Sequence, residues 1–164
     1  MPKRSRCPYC GKLFNRDVLD DHIPRCRGRK HIDKKSEPPK RKLVIVDGNN
    51  IAFHLSPSGK PMLDNLILAV RSLSQAGLIP TVVVSAALIH KIDKPQGLLE
   101  MISEGQVVQA PRGTNDDFTI IRLAMQKNAD IVSNDRFLDW VEKYSWLPDR
   151  IKRYRMTPTG LILV

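Results

Sequence analysis

The rhythm of apolar and polar positions changes at residue 43. Leu43, Val44, Ile45 and Val46 run without interruption, the pattern of a parallel strand buried on both faces. Apolar residues then recur at Leu63, Leu66, Ile67, Val70 and Leu73. This stripe predicts a helix over residues 62–76, stopped by Gly77. Residues 81–84 predict a second strand, 98–102 a short helix and 107–109 a third strand. Thr114 or Asn115 caps a helix running to Asn128, residues 131–132 form a fourth strand, and 136–144 a further helix. Residues 153–156 and 161–164 read as terminal strands around a turn at 157–160. Strands alternating with helices imply an α/β fold, a mostly parallel sheet with helices on both faces.

No such rhythm exists before residue 43, and charge explains why. Residues 1–42 hold 14 Lys/Arg against 5 Asp/Glu, whereas residues 43–164 hold 13 against 12. The basic excess therefore sits in an N-terminal arm, a composition suited to a nucleic-acid partner or to simple solvation. All three cysteines lie in it. Cys7, Cys10, His22 and Cys26 are spaced Cys-x2-Cys-x11-His-x3-Cys, a complete tetrahedral set for Zn²⁺. His22 and Cys26 are four apart, on one face of a helix starting near Asn15. Leu13, Phe14, Val18, Leu19 and Ile23 are too few to fold this segment unaided. Structural zinc supplies about 10–16 kcal/mol of apparent binding energy, which is enough. Pro24 lies within that helix and removes one backbone donor. The predicted organisation is a zinc finger over 1–28, a basic, proline-containing linker over 29–42 and an α/β domain over 43–164.

The candidate chemistry lies in the aspartates of that domain. Asp47 ends the first strand, Asp116 and Asp117 open the helix after the third, and Asp135 follows the fourth. With a 3-2-1-4-5 strand order these positions converge beyond the carboxyl ends of the strands, where open α/β sheets bind ligands. Two carboxylates ~6 Å apart repel by ~2.8 kcal/mol at an effective dielectric of 20, so four need a cation or must stay partly protonated. An all-oxygen set favours Mg²⁺ or Mn²⁺. Any one of these aspartates alone is equally a turn or a helix cap; their joint placement points to a metal site.

Three motifs carry a family resemblance: residues 44–50 (Val-Ile-Val-Asp-Gly-Asn-Asn), 113–117 (Gly-Thr-Asn-Asp-Asp) and 131–139 (Ile-Val-Ser-Asn-Asp-Arg-Phe-Leu-Asp). Together they resemble the NYN domain of the PIN-like nucleases, closest to the Regnase (MCPIP-type) ribonucleases. Tyr154, Arg155 and Met156 resemble that family's last strand region. The resemblance implies a Rossmann-like PIN fold and Mg²⁺-dependent cleavage of single-stranded or loop RNA. It carries over Asp47, Asp116, Asp117 and Asp135 as metal-site acids, Asn50 as a neutral polar partner and Asp139 as a supporting acid. The finger resembles C2HC fingers that bind RNA, DNA or protein. It precedes the domain, where Regnase-type proteins carry a CCCH finger after it.

Arg112, Arg136, Lys152, Arg153 and Arg155 are candidates for phosphate contacts, each equally readable as a solvated charge. His54 reads as a packed or surface residue. With Trp 2, Tyr 3 and Phe 4, many of them core candidates, no base-stacking platform is evident. The expectation is an endoribonuclease whose finger and arm tether RNA. The alternatives are a non-catalytic RNA-binding or adaptor protein whose finger recognises a protein partner, and a nuclease acting on DNA. The charged N-terminus and the lack of a long apolar run predict a cytoplasmic or nuclear location and no membrane partner.

Overall fold

The chain divides into two compact units, one reaching Lys40 and one starting at Arg41. The structure, a computed structural model, describes residues 4–27 and 40–164. The predicted linker over 29–42 falls largely outside them. Among the described residues no helix is long and apolar enough to cross a membrane.

The small unit is a hairpin and a helix. β1 (Arg4–Arg6) pairs antiparallel with β2 (Leu13–Asn15), and α1 (Arg16–Arg27) follows. The turn between the strands closes with Cys7 N–H donating to the Lys12 carbonyl at 2.9 Å, and Gly11 takes φ +70°, which glycine adopts without strain. Pro24 lies inside α1, which continues past it to Arg27.

In the large unit, β3 (Lys42–Asp47) leads into α2 (Gly48–Ala52), then α3 (Leu63–Gln75) and β4 (Leu78–Val84). A 3-10 turn (Leu88–His90), α4 (Pro95–Ser103) and β5 (Val107–Gln109) come next. α5 (Asp116–Lys127), β6 (Asp130–Val132), α6 (Leu138–Val141), α7 (Leu147–Arg150) and β7 (Ile151–Lys152) complete the sheet. A separate antiparallel hairpin, β8 (Tyr154–Thr157) and β9 (Gly160–Leu163), closes the domain. The five-stranded sheet is parallel throughout, in the order β5-β4-β3-β6-β7. Helices cover both faces, as in a Rossmann-like PIN fold.

The unbroken apolar runs serve two cores at once. Val44, Val46, Val82, Val84 and Val132 point into the face covered by α2, α3 and α4, which also takes Leu66, Leu73 and Leu98. Ile45, Val83 and Ile131 point the other way, onto Ile120, Ile121 and Phe137. Alternate residues of each strand thus bury on opposite faces. At the amino end of the sheet, Lys42 Nζ meets Asp130 at 2.6 Å and Arg150 meets it at 3.4 Å. Burial alone would raise the Asp130 carboxyl; these cations overcome that and hold it below the ordinary range.

Two sequence expectations need correction. The helix predicted over 136–144 is reduced to Leu138–Val141; Phe137, at φ +51°, delays its start. The fifth strand of the sheet is β7, which the sequence reading missed. The terminal strands form a hairpin around the expected turn and pack on α3, where Ser72 Oγ accepts from Leu161 N–H at 2.9 Å.

Gly48 fixes how β3 turns into α2. A Cβ there would lie 2.6 Å from Val84 Cγ1 and 2.7 Å from the Val83 carbonyl oxygen. Gly48→Ala is expected to lower the unfolding free energy by about 1–3 kcal/mol, as overpacking does. Urea titration checks this; an unchanged midpoint would show that α2 can move away from β4.

Candidate metal and nucleic-acid site

Beyond the carboxyl ends of β3 and β6, side chains from four elements line one open cleft of about 500 Å³. Asp47, Asp116, Asp117 and Asp135 all line it, with Asn49, Asn50, Phe53, His54 and Leu55. The parallel order explains the convergence. β3 is central and β6 beside it, so the residues that follow both strands emerge on one side. α5 enters at the same end, with Asn115 Oδ1 accepting from Asp117 N–H at 2.9 Å as the cap.

Asp47 is 4% exposed and locally tied. Its Oδ1 accepts from Asn50 N–H at 3.1 Å, which also caps α2, and its Oδ2 accepts from Ser133 Oγ at 2.7 Å. Ser133 Oγ in turn accepts from Asp135 N–H at 3.0 Å. Asp135 Oδ1 accepts from Phe137 N–H at 2.8 Å, and this bond holds the left-handed turn at Phe137.

Asn50 is more committed than its motif suggests. Its Oδ1 accepts from both Asn134 N–H at 3.1 Å and Tyr154 Oη at 2.7 Å, so its amide nitrogen is the group left for the cleft. Asn134 reciprocates on the backbone of Tyr154: Nδ2 donates to the carbonyl at 3.1 Å and Oδ1 accepts from N–H at 3.0 Å. Asn49 ties Ser85, just past β4: Nδ2 donates to the Ser85 Oγ at 2.8 Å and Oδ1 accepts from its N–H at 3.0 Å. Three asparagines therefore clasp the strand ends that carry the acids. Sequence reasoning singled out only Asn50; the others are polar residues directly following buried strands, and that position was the available signal.

Electrostatics single out two of the acids. Burial, with the charges of Asp117 and Asp116, pushes Asp47 up to about 6 despite its hydrogen bonds from Ser133 and Asn50. Burial also raises Asp117 to about 6, helped by Asp116, Asp135 and Asp139 and opposed by a bond to the Trp140 side chain. Asp139 thus acts on the site through its charge without lining the cleft. Tyr154 is pushed up by burial and by Asp47, so it stays a donor.

The candidate basic residues lie elsewhere. None of the five lines the acid cleft. Arg112 lines a neighbouring recess of about 310 Å³ with Ser85 and His90. Arg136 is exposed beside Asp135, Arg153 Nη2 reaches the Asn134 carbonyl at 3.4 Å, Lys152 acts on Asp130, and Arg155 is exposed on β8. His54, set aside in the sequence, does line the cleft, and its ring stands 5.3 Å from that of Tyr154.

The small unit gathers a second donor set. Cys7, Cys10, His22 and Cys26 bring their ligand atoms within 4.8 Å of one another, with Cys10 Sγ 3.3 Å from His22 Nε2. Phe14 stacks on the His22 ring at 4.1 Å, and Leu19 and Ile23 pack around the thiols. Four sulfur and nitrogen donors so placed are consistent with a closed, structural Zn²⁺ site.

A PIN-like fold with acids gathered at its strand ends defines a class of nuclease domain, and the comparisons agree. Residues 40–159 match the model of the Zc3h12a-like ribonuclease NYN domain, and the chain belongs to that family. Two solved structures share its fold. One is the crystal structure of nuclear proteinaceous RNase P 2 (PRORP2) from A. thaliana, 20% identical, with a TM-score of 0.61 over 99% of this chain and 42% of that one. The other is a structure of Arabidopsis thaliana nuclear protein-only RNase P 2, 18% identical, with a TM-score of 0.59 over 100% and 42%. The chain spans less than half the length of either. No curated protein sequence matches it.

Proposed function

We propose that the protein is a divalent-metal-dependent endoribonuclease acting on single-stranded or loop RNA. The observation that carries this reading is the single cleft lined by Asp47, Asp116, Asp117 and Asp135, in which Asp47 and Asp117 are pushed to about 6. Carboxyls raised by burial and by one another are a site that gains from a cation. Their oxygen donors fit Mg²⁺ or Mn²⁺ better than zinc.

Asp47, Asp116, Asp117 and Asp135 would hold the ion. When bound, it supplies Lewis-acid chemistry, offsetting charge on the attacked phosphate and acidifying water. Ser133 and the Asn50 backbone orient both oxygens of Asp47. The Asn50 amide nitrogen, fixed by Tyr154 and Asn134, donates toward a phosphate oxygen. The zinc unit and the basic arm hold RNA electrostatically and add no chemistry.

The test offers purified full-length, zinc-loaded protein a single-stranded RNA, a hairpin, an RNA duplex and single-stranded DNA, each with and without added Mg²⁺, beside Asp116→Asn. Cleavage of the unpaired RNAs that vanishes without Mg²⁺ and falls by roughly 10²-fold or more in the variant is expected. Cleavage unaffected by both treatments would sink the assignment.

A further inference from the structure

Behind the acid cleft lies a second recess that the reaction as described does not use. It has a volume of about 400 Å³ and shares His54 and Leu55 with the cleft as a common wall. Leu55, Met62, Leu68 and Met156 form apolar walls, beside Asn65 and Thr157, whose Nδ2 and Oγ1 are bonded to backbone groups. Among the described residues no lysine or arginine lines it, and the one acid that does, Asp64, is paired with Lys94 at 2.9 Å. Its chemistry is therefore that of a site for an uncharged, mainly apolar group, and its size is that of a small-ligand pocket.

The dividing wall is built at a cost. Leu55 takes φ +48°, a conformation that side chains with a Cβ rarely adopt, and yet leaves its side chain 78% exposed. Asn65 holds this segment in place: its Nδ2 donates to the carbonyls of His54 at 2.9 Å, Ile51 at 3.2 Å and Ala52 at 3.4 Å. Met62 N–H adds a bond to the Ala52 carbonyl at 2.8 Å. A strained backbone clamped so that it presents an apolar side chain to solvent is a pattern found at ligand sites.

We propose that this recess is a subsite for one unpaired nucleobase of the RNA, next to the phosphate bound at the acids, with Leu55 as the surface the base packs on. The inference rests on the nuclease reading and deepens it. A base can enter only after leaving its stack and its pair, so the recess favours unpaired RNA over a duplex. The occupant is set by continuity with the acid cleft and by the absence of cations: the phosphate goes to one compartment, and its base to the other.

The test uses the full chain, wild type and Leu55→Ala, with a 12-nucleotide single-stranded RNA and a set of versions each carrying one abasic spacer. Leu55 is exposed, so the substitution opens no core cavity. Binding is read by fluorescence anisotropy in Mg²⁺-free buffer without chelator, so that the zinc unit stays loaded, and cleavage as kcat/KM in Mg²⁺. One spacer position is expected to weaken wild-type binding about tenfold, the scale of a single base–side-chain contact. Leu55→Ala should weaken binding of the intact RNA by a similar factor and leave the RNA with that spacer unaffected. Independent, multiplying losses at every position would overturn the subsite even if cleavage is normal. Coupled losses in binding without any Mg²⁺-dependent cleavage would uphold the subsite and overturn the nuclease reading. Absence of any RNA affinity would end both.

Discussion

Asp47→Asn is expected to abolish metal-dependent RNA cleavage and, in metal-free buffer at pH 7.5, to make the domain more stable. The stability gain follows from the raised carboxyl. Below about pH 3.8 Asp47 is protonated in folded and unfolded chains alike, and the acid carries no penalty. As pH rises toward 6 the unfolded chain ionises first, and the folded state loses stability. Above 6 the loss is complete, and a shift of about two units corresponds to roughly 3 kcal/mol. Asp117 adds a smaller loss of the same sign, because it is less deeply buried and its charge is better screened. Asparagine removes the titration and can still accept from Asn50 N–H while donating to Ser133 Oγ. Thermal melts between pH 4.5 and 7.5 should therefore fall for the metal-free wild type and stay flatter for the variant. Mg²⁺ should raise the wild-type melting temperature at pH 7.5 and do little at pH 4.5. Asp130 does not confuse the reading, because its carboxyl is held low and its contribution is lost only in more acidic solution. A wild-type melting temperature that rises with pH across this window, or Mg²⁺ stabilisation that is equal at both pH values, would contradict a carboxylate site waiting for a cation.

The second large effect concerns the small unit. Its buried apolar residues are Leu19 and the ligand cysteines Cys7 and Cys26, with Phe14 and Ile23 half-buried around them. This cannot offset the chain entropy of two dozen residues, at about 1–2 kcal/mol each for the backbone alone. Metal binding, about 10–16 kcal/mol in comparable modules, would be enough to make folding possible. Chelation of zinc, or Cys26→Ser, is expected to unfold residues 4–27 while the transition of residues 41–164 stays in place. Amide exchange resolved by segment checks this: complete exchange within seconds in α1, with β3 and β4 still protected. Protection of α1 that survives chelation would show that the hairpin and helix hold without metal.

Both sites were largely legible in the sequence, for different reasons. The four sulfur and nitrogen donors of the small unit are close along the chain, so spacing alone reveals the set. The acids are spread over some ninety residues, and only the strand pattern brings them together. The apolar runs marked the buried strands; the convergence followed from the 3-2-1-4-5 order supposed for them, which is the order observed. What stayed hidden depended on backbone conformations that composition does not announce. Phe137 stays outside the helix that its apolar stripe suggests because Asp135 holds it in a left-handed turn. β7 is two residues long and carries no periodicity. Phe53, 41% exposed, and Leu55 line the cleft because α2 is only five residues long, so the chain turns before an apolar stripe can bury them. The sequence reading found no stacking platform because it assigned the aromatic residues mainly to the core.

The clasp between Asn50, Asn134 and Tyr154 has a consequence for the order of events during synthesis. Every acid of the cleft has been made by residue 135, but the hydroxyl that fixes Asn50 and the backbone that Asn134 grips arrive only with residue 154. A chain still being translated can therefore hold all four carboxylates and the whole of β3, β4 and β6 without its cleft being set. Assembly of the site is deferred until the closing hairpin docks, so a nascent chain on the ribosome, surrounded by RNA, carries the acids before it carries their alignment.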